Sequence, residues 1–97
     1  MATEFNPNYA IHPGILLLEE IEALNMTQKE VAEKIGVSKT IINEVIKGKR
    51  GINAELAVRL ESALESPARF WLNAQSLYDE TMARVKLNLI ELAIAAV

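Results

Sequence analysis

Between Thr27 and Arg50 the chain reads TQKEVAEKIGVSKTIINEVIKGKR, and this stretch restricts the fold more than any other. Val31 and Ile35 repeat at one helical turn, and so do Ile42 and Val45 further on. Each pair marks the buried stripe of a short amphipathic helix. Ala32 is small where two such helices would cross most closely, and Gly36 stands where the turn between them needs a positive φ. Val37 fills the turn from inside. The stretch therefore predicts two short helices locked at a steep angle, with the polar side of the second turned outward.

The helices on either side are readable from their ends. His12-Pro13-Gly14 opens a first helix, because proline at the first helical position sacrifices no hydrogen bond. Ile15, Leu18 and Ile21 are expected to form its apolar stripe, widened by Leu17 and Leu24, with Glu19, Glu20 and Glu22 solvated. Asn25-Met26 ends it. Thr27 and Glu30 have the spacing of a capping box, Ser38 and Asn53 are caps for the third and fourth helices, and Ser66-Pro67 starts a fifth. The segment before His12, with Asn6-Pro7-Asn8 as a turn signal, reads as irregular. Beyond Met82, Val85, Leu89, Leu92 and Ala96 keep helical spacing, although the alternation from Val85 to Leu89 also admits a short strand. Leu87, Ile90, Ile94 and Val97 make a second apolar face there, more than a solvated tail needs. The expectation is an all-α chain: one domain over 1–97, a helical core over 12–82, and an apolar helical extension over 83–97 that meets a twin subunit or another protein.

Several function classes have little to stand on. There is no cysteine, hence no disulfide, thiol chemistry or thiolate zinc site. The single histidine precedes Pro13 and reads as a helix cap. No Gly-rich phosphate loop or metal-ligand spacing occurs. No catalytic, cofactor or metal site is expected, and the protein reads as no enzyme. Phe70, Trp71 and Tyr78 read as core or interface anchors, and Asp79-Glu80 as a solvated face. The first residues lack the pattern of a signal peptide, and the apolar C-terminus is too short to span a bilayer and is interrupted by Asn88 and Glu91. A cytoplasmic protein without membrane contact is expected.

Charge points the other way from its total. The net charge is −3, which by itself disfavours a polyanionic partner. Yet residues 1–26 carry Glu4, Glu19, Glu20 and Glu22 with no lysine or arginine, whereas Lys29, Lys34, Lys39, Lys47, Lys49 and Arg50 crowd into residues 27–51. The basic stretch coincides with the two-helix unit. That unit is a helix-turn-helix, and its second helix reads as a DNA reader. Ser38, Lys39, Thr40, Asn43, Glu44 and Lys47 are expected to face bases. Lysine suits guanine, asparagine suits adenine, the threonine methyl suits thymine, and glutamate accepts from cytosine. Gln28, Lys49 and Arg50 are expected at phosphates.

The motifs around this unit are more particular. His12-Pro13-Gly14, Gly36-Val37-Ser38, Gly48-Lys49-Arg50-Gly51-Ile52, Ala57-Val58-Arg59-Leu60, and Phe70-Trp71-Leu72-Asn73 followed by Gln75 and Tyr78-Asp79 occur together, so that residues 12 to about 84 resemble HigA-type antitoxins of the phage-repressor-like (lambda-repressor-like) helix-turn-helix superfamily. The resemblance implies a five-helix domain, a homodimer on double-stranded, palindromic operator DNA, and repression of its own operon. It also implies a protein partner to neutralise: a HigB toxin, a small basic mRNA endonuclease of the RelE-like class acting at the ribosome. It places the reading helix on the six base-facing residues above and the phosphate contacts on Gln28, Lys49 and Arg50. Ala74, where the family has a larger apolar residue, and the tail from Val85 depart from the pattern. A basic toxin is drawn to acidic surface, so Glu19, Glu20 and Glu22 are the expected toxin contacts. A stand-alone phage-type transcriptional regulator without a toxin is the alternative.

Overall fold

The computed structural model describes residues 10–96 and contains α1 (Pro13–Ala23), α2 (Gln28–Ile35), α3 (Lys39–Ile46), α4 (Ala54–Ala63) and α5 (Ala68–Ala95). Asn6-Pro7-Asn8, the N-terminal residues and Val97 lie outside the described part. No strand occurs among the described residues, and Val85–Leu89 is helical. The core is one cluster that takes Leu17 and Ile21 from α1, Val31, Ala32 and Ile35 from α2, Ile42 and Val45 from α3, and Leu56, Ala57 and Leu60 from α4. Trp71 of α5 closes it and is fully buried.

Four of the five helices begin where a capping side chain supplies a missing acceptor. His12 Nδ1 accepts from Gly14 N–H at 2.9 Å, with Pro13 as the first helical residue. Thr27 and Glu30 form the reciprocal capping box, at 3.0 and 2.9 Å. Ser38 Oγ accepts from Ile41 N–H at 3.3 Å, and Asn53 Oδ1 from Leu56 N–H at 2.9 Å. Helix ends use left-handed residues: Asn25 after α1, Gly36 after α2 and Gly48 after α3, with φ of 56°, 74° and 77°. At Gly48 the chain folds back on α3, Gly48 N–H donating to the Val45 carbonyl at 3.0 Å and Lys49 N–H to the Glu44 carbonyl at 2.8 Å. That pair of bonds is a Schellman motif, and it fixes the direction of the basic loop.

Three expectations about α1 and α5 are corrected. The buried side of α1 is Pro13, Gly14, Leu17 and Ile21, while Ile15 is 49% exposed. Ile15 and Ile21 are six residues apart, which on a helix separates them by about 120°, so both cannot face one neighbour. Glu20 is half-buried rather than solvated, because its carboxylate accepts from Ser66 Oγ in the turn between α4 and α5. Ser66, engaged there, does not cap α5. Pro67 is the N-cap, and the Ala68 N–H instead donates to Glu61 Oε2 at 2.8 Å.

Helix α5 runs unbroken past residue 82. Its first half packs against α4 and α1. Its second half stands clear of the core, with Leu89 62%, Leu92 67% and Ile94 70% exposed. No described helix is long and apolar enough to cross a membrane.

Candidate nucleic-acid interface

Ile42 and Val45 are buried against α1 and α2, which turns the opposite face of α3 outward. Ser38, Lys39 and Thr40 at its N-terminal end are exposed, and so is Lys47 at its far end. Asn43 and Glu44, in the middle, are only half exposed. The expected readers thus share one face, and the two central ones have partners within the protein.

Asn43 Nδ2 donates to Gln28 Oε1 at 3.2 Å, joining the start of α2 to the second turn of α3. With Thr27, Lys29 and Lys39 these amides line a polar notch between the two helices. Asn43 keeps its carbonyl oxygen and one N–H free, and Gln28 keeps its amide group. The paired donor and acceptor an adenine edge requires are therefore present, held by a neighbour instead of swinging freely. Gln28, expected at a phosphate, is the residue that holds Asn43.

The other central residue is paired with the basic loop. Arg50 Nε and Nη2 both donate to Glu44 Oε1, at 3.0 and 2.9 Å. Lys47, Lys49 and Arg50 are all exposed, so three cations cluster at the C-terminal end of α3, where they also oppose the helix dipole.

Two residues without an assigned role in sequence brace this surface from behind. Arg59 of α4 donates from Nη1 to the Ile35 carbonyl at 2.7 Å, satisfying an end of α2 that the helix leaves open. Gln75 of α5 accepts from the Ile52 N–H at 2.7 Å and donates to Asp79 at 2.9 Å. A Cβ on Gly51 would lie 3.0 Å from the Gln75 oxygen, so a side chain at 51 would crowd the brace. Gln75 fixes where the Lys49-Arg50 loop re-enters the fold. Periodicity marks both positions as helical surface and is silent about acceptors supplied from distant segments.

His12 sits at a further junction. Its ring meets Tyr78 of α5 edge-to-face at 4.8 Å and lies over Gly48 at the end of α3. Burial lowers its pKa below 6.5, and the nearby Asp79 carboxylate opposes that shift. Protonation would also remove the lone pair that caps α1. Because the folded value is the depressed one, its stabilising contribution is present above about pH 6.5 and is lost as pH falls through the folded value. A His12→Asn variant keeps a capping acceptor without titrating. We expect the melting temperature of the wild type to fall more than that of the variant between about pH 7 and pH 5. Parallel curves would exclude His12 as the source.

The acidic residues of α1 divide. Glu19 and Glu22 are exposed on the side that carries Ile15, turned away from the buried face. Glu20 is committed to Ser66, and its second oxygen is buried with no partner among the described residues. Those residues contain no group of three or more histidine, aspartate or glutamate side chains able to hold a metal ion.

A two-helix unit crossing at a left-handed glycine, with an outward polar helix followed by a cationic loop, defines a helix-turn-helix protein. The chain belongs to the helix-turn-helix family, whose model matches residues 17–71, and within it to the HigA type. It is similar to virulence-associated protein I of Dichelobacter nodosus, 40% identical over 76% of this chain and 69% of that one. Among solved structures it is similar to a HigA-family addiction module antidote protein from Coxiella burnetii, with 35% identity, TM-score 0.76, and coverage of 79% of this chain and 85% of that one. It is likewise similar to the antitoxin HigA of Pseudomonas aeruginosa solved with the higBA promoter, with 32% identity, TM-score 0.75, and coverage of 79% and 85%.

Proposed function

We propose that this protein is a HigA-type antitoxin that represses its own operon by sequence-specific DNA binding and neutralises a HigB/RelE-like endonuclease in the cytoplasm, acting by binding and not as an enzyme. The observation that carries the DNA half is the α3 face, where Ser38, Lys39 and Thr40 project beside an Asn43 already oriented by Gln28. The Pseudomonas aeruginosa relative bound to promoter DNA supports it. Lys39 and Lys47 are assigned to base edges and Lys49 to a phosphate. Replacing Lys39 with alanine costs about 1–3 kcal/mol on the preferred duplex and relaxes preference at one base pair. Replacing Lys49 weakens all duplexes alike and lowers the salt slope by about one. Fluorescence anisotropy on single-base-substituted duplexes separates the two patterns, and identical patterns would overturn the placement of α3.

For the toxin half, the accessible acidic surface is Glu19 and Glu22 flanking Ile15, while Glu20 contributes through its grip on Ser66. A second copy is assigned to the exposed tail of α5, since a solvated helix has no need of Leu89, Leu92 and Ile94. Light scattering on size-exclusion fractions tests both assignments in the same run. Truncation after Arg84 leaves a monomer, and reversing Glu19 and Glu22 to lysine releases a small basic protein co-expressed from the adjoining reading frame. A truncated dimer, or a charge-reversed complex that stays whole, overturns the corresponding assignment.

A further inference from the structure

Glu44 lies on the reading face, yet one oxygen of its carboxylate is already engaged within the protein. Both Arg50 N–H groups on one edge of the guanidinium, Nε and Nη2, converge on one of its two oxygens, Oε1. The backbone carbonyl of the same residue accepts from Lys49 N–H at 2.8 Å. Glu44 therefore holds the basic loop twice, once through the main chain and once through the side chain. Its second oxygen keeps its lone pairs, so what the pairing fixes is the orientation of Glu44 and the offset of its charge by Arg50. Left unpaired, its charge would face the phosphates of both strands with no compensation.

The geometry of arginine makes the pairing useful. A guanidinium carries five N–H donors in a rigid plane. Two are engaged by Glu44, so the Nη1 edge and the remaining Nη2 proton stay available, in an orientation set by the clamp. The Arg50 side chain is 48% exposed, so pairing with Glu44 does not bury it. We propose that Glu44 is a positioning residue: it aims the free edge of Arg50 at a DNA phosphate and does not itself read a base. The proposal rests on the DNA-binding reading of α3, and it reassigns one of the residues expected at base edges.

The test begins with a duplex selected by the wild-type protein from a random-sequence pool, together with its single-base-pair variants. Glu44→Ala, Glu44→Gln, Arg50→Ala and the Glu44→Ala/Arg50→Ala double variant are titrated on each duplex at several salt concentrations. An exposed ion pair contributes little to folding, so all four variants stay folded, and thermal unfolding checks this. Glu44→Ala is expected to weaken every duplex alike, roughly tenfold, with base preferences unchanged and the salt slope reduced by about one. Arg50→Ala gives the same pattern, and the double variant binds no more weakly than Arg50→Ala alone, because the two residues act as one unit. Glu44→Gln keeps an oxygen acceptor for Arg50 and recovers most of the affinity. Loss of preference at one base pair, multiplicative effects in the double variant, or tighter binding by Glu44→Ala would each overturn the proposal while leaving DNA binding intact. A wild-type protein that selects no duplex would remove the DNA reading and this assignment with it.

Discussion

Trp71→Ala lowers the melting temperature by about 20 °C in thermal unfolding followed by circular dichroism. The indole is fully buried, between the faces that α1 and α4 turn towards α5, and meets Phe70 edge-to-face at 4.9 Å. Truncation of a buried tryptophan costs about 3–5 kcal/mol, through lost transfer free energy and the cavity left behind. In a domain of this size each kcal/mol shifts the midpoint by roughly 4–8 °C. The indole N–H has no acceptor among the described residues, so its replacement by Phe loses volume but no hydrogen bond. Trp71→Phe is accordingly the milder change, and the gap between the two variants measures packing alone. Equal midpoints for wild type and Trp71→Ala would mean that α5 does not complete the core.

Gly14→Ala is the second large effect, and its sign runs against helix propensity. Alanine is normally favoured over glycine inside a helix by about 1 kcal/mol. Here a Cβ would sit 1.9 Å from the Val45 carbonyl oxygen and 2.9 Å from Ile46 Cα, both main-chain atoms that cannot swing aside. The first turn of α1 must move off the last turn of α3. Overpacking costs about 1–3 kcal/mol and occasionally more, and a clash with main-chain atoms belongs at the upper end. The same movement tilts α3, so duplex affinity should fall with the melting temperature. A variant as stable as the wild type would show that α1 and α3 are farther apart than described.

What could be read in advance follows from the range of each interaction. Caps at Thr27, Ser38 and Asn53 depend on atoms within three residues, and the sequence displays them. The buried set of α2 and α3 was equally plain, because short helices with one neighbour on each side have a narrow apolar stripe. In α1 the apolar residues outnumber the positions one face can hold. Choosing Leu17 over Ile15 needs the knowledge that Gly14 touches Val45. The assignment of Ser66 as a cap failed for a related reason: Ser66 donates to Glu20, distant in sequence, and Glu61 supplies the acceptor for the Ala68 N–H. On the candidate interface, the outward direction of Ser38, Lys39, Thr40 and Lys47 was legible, whereas the partners of Asn43 and Glu44 were not. The Gln28–Asn43 bond spans fifteen residues and Gln75 reaches Ile52 across twenty-three, and no local pattern encodes such pairings.

Helix α5 contains neither glycine nor proline from Ala68 to Ala95. It also carries both Trp71, embedded in the core, and Gln75, which holds Ile52 beside the basic loop. Over 28 residues it spans about 42 Å without a joint. One unbroken helix therefore joins the exposed Leu89, Leu92 and Ile94 to the residues that seat α5 in the core and brace the basic loop. A partner seated on the far half of α5 would thus hold the same rod that carries Trp71 and Gln75.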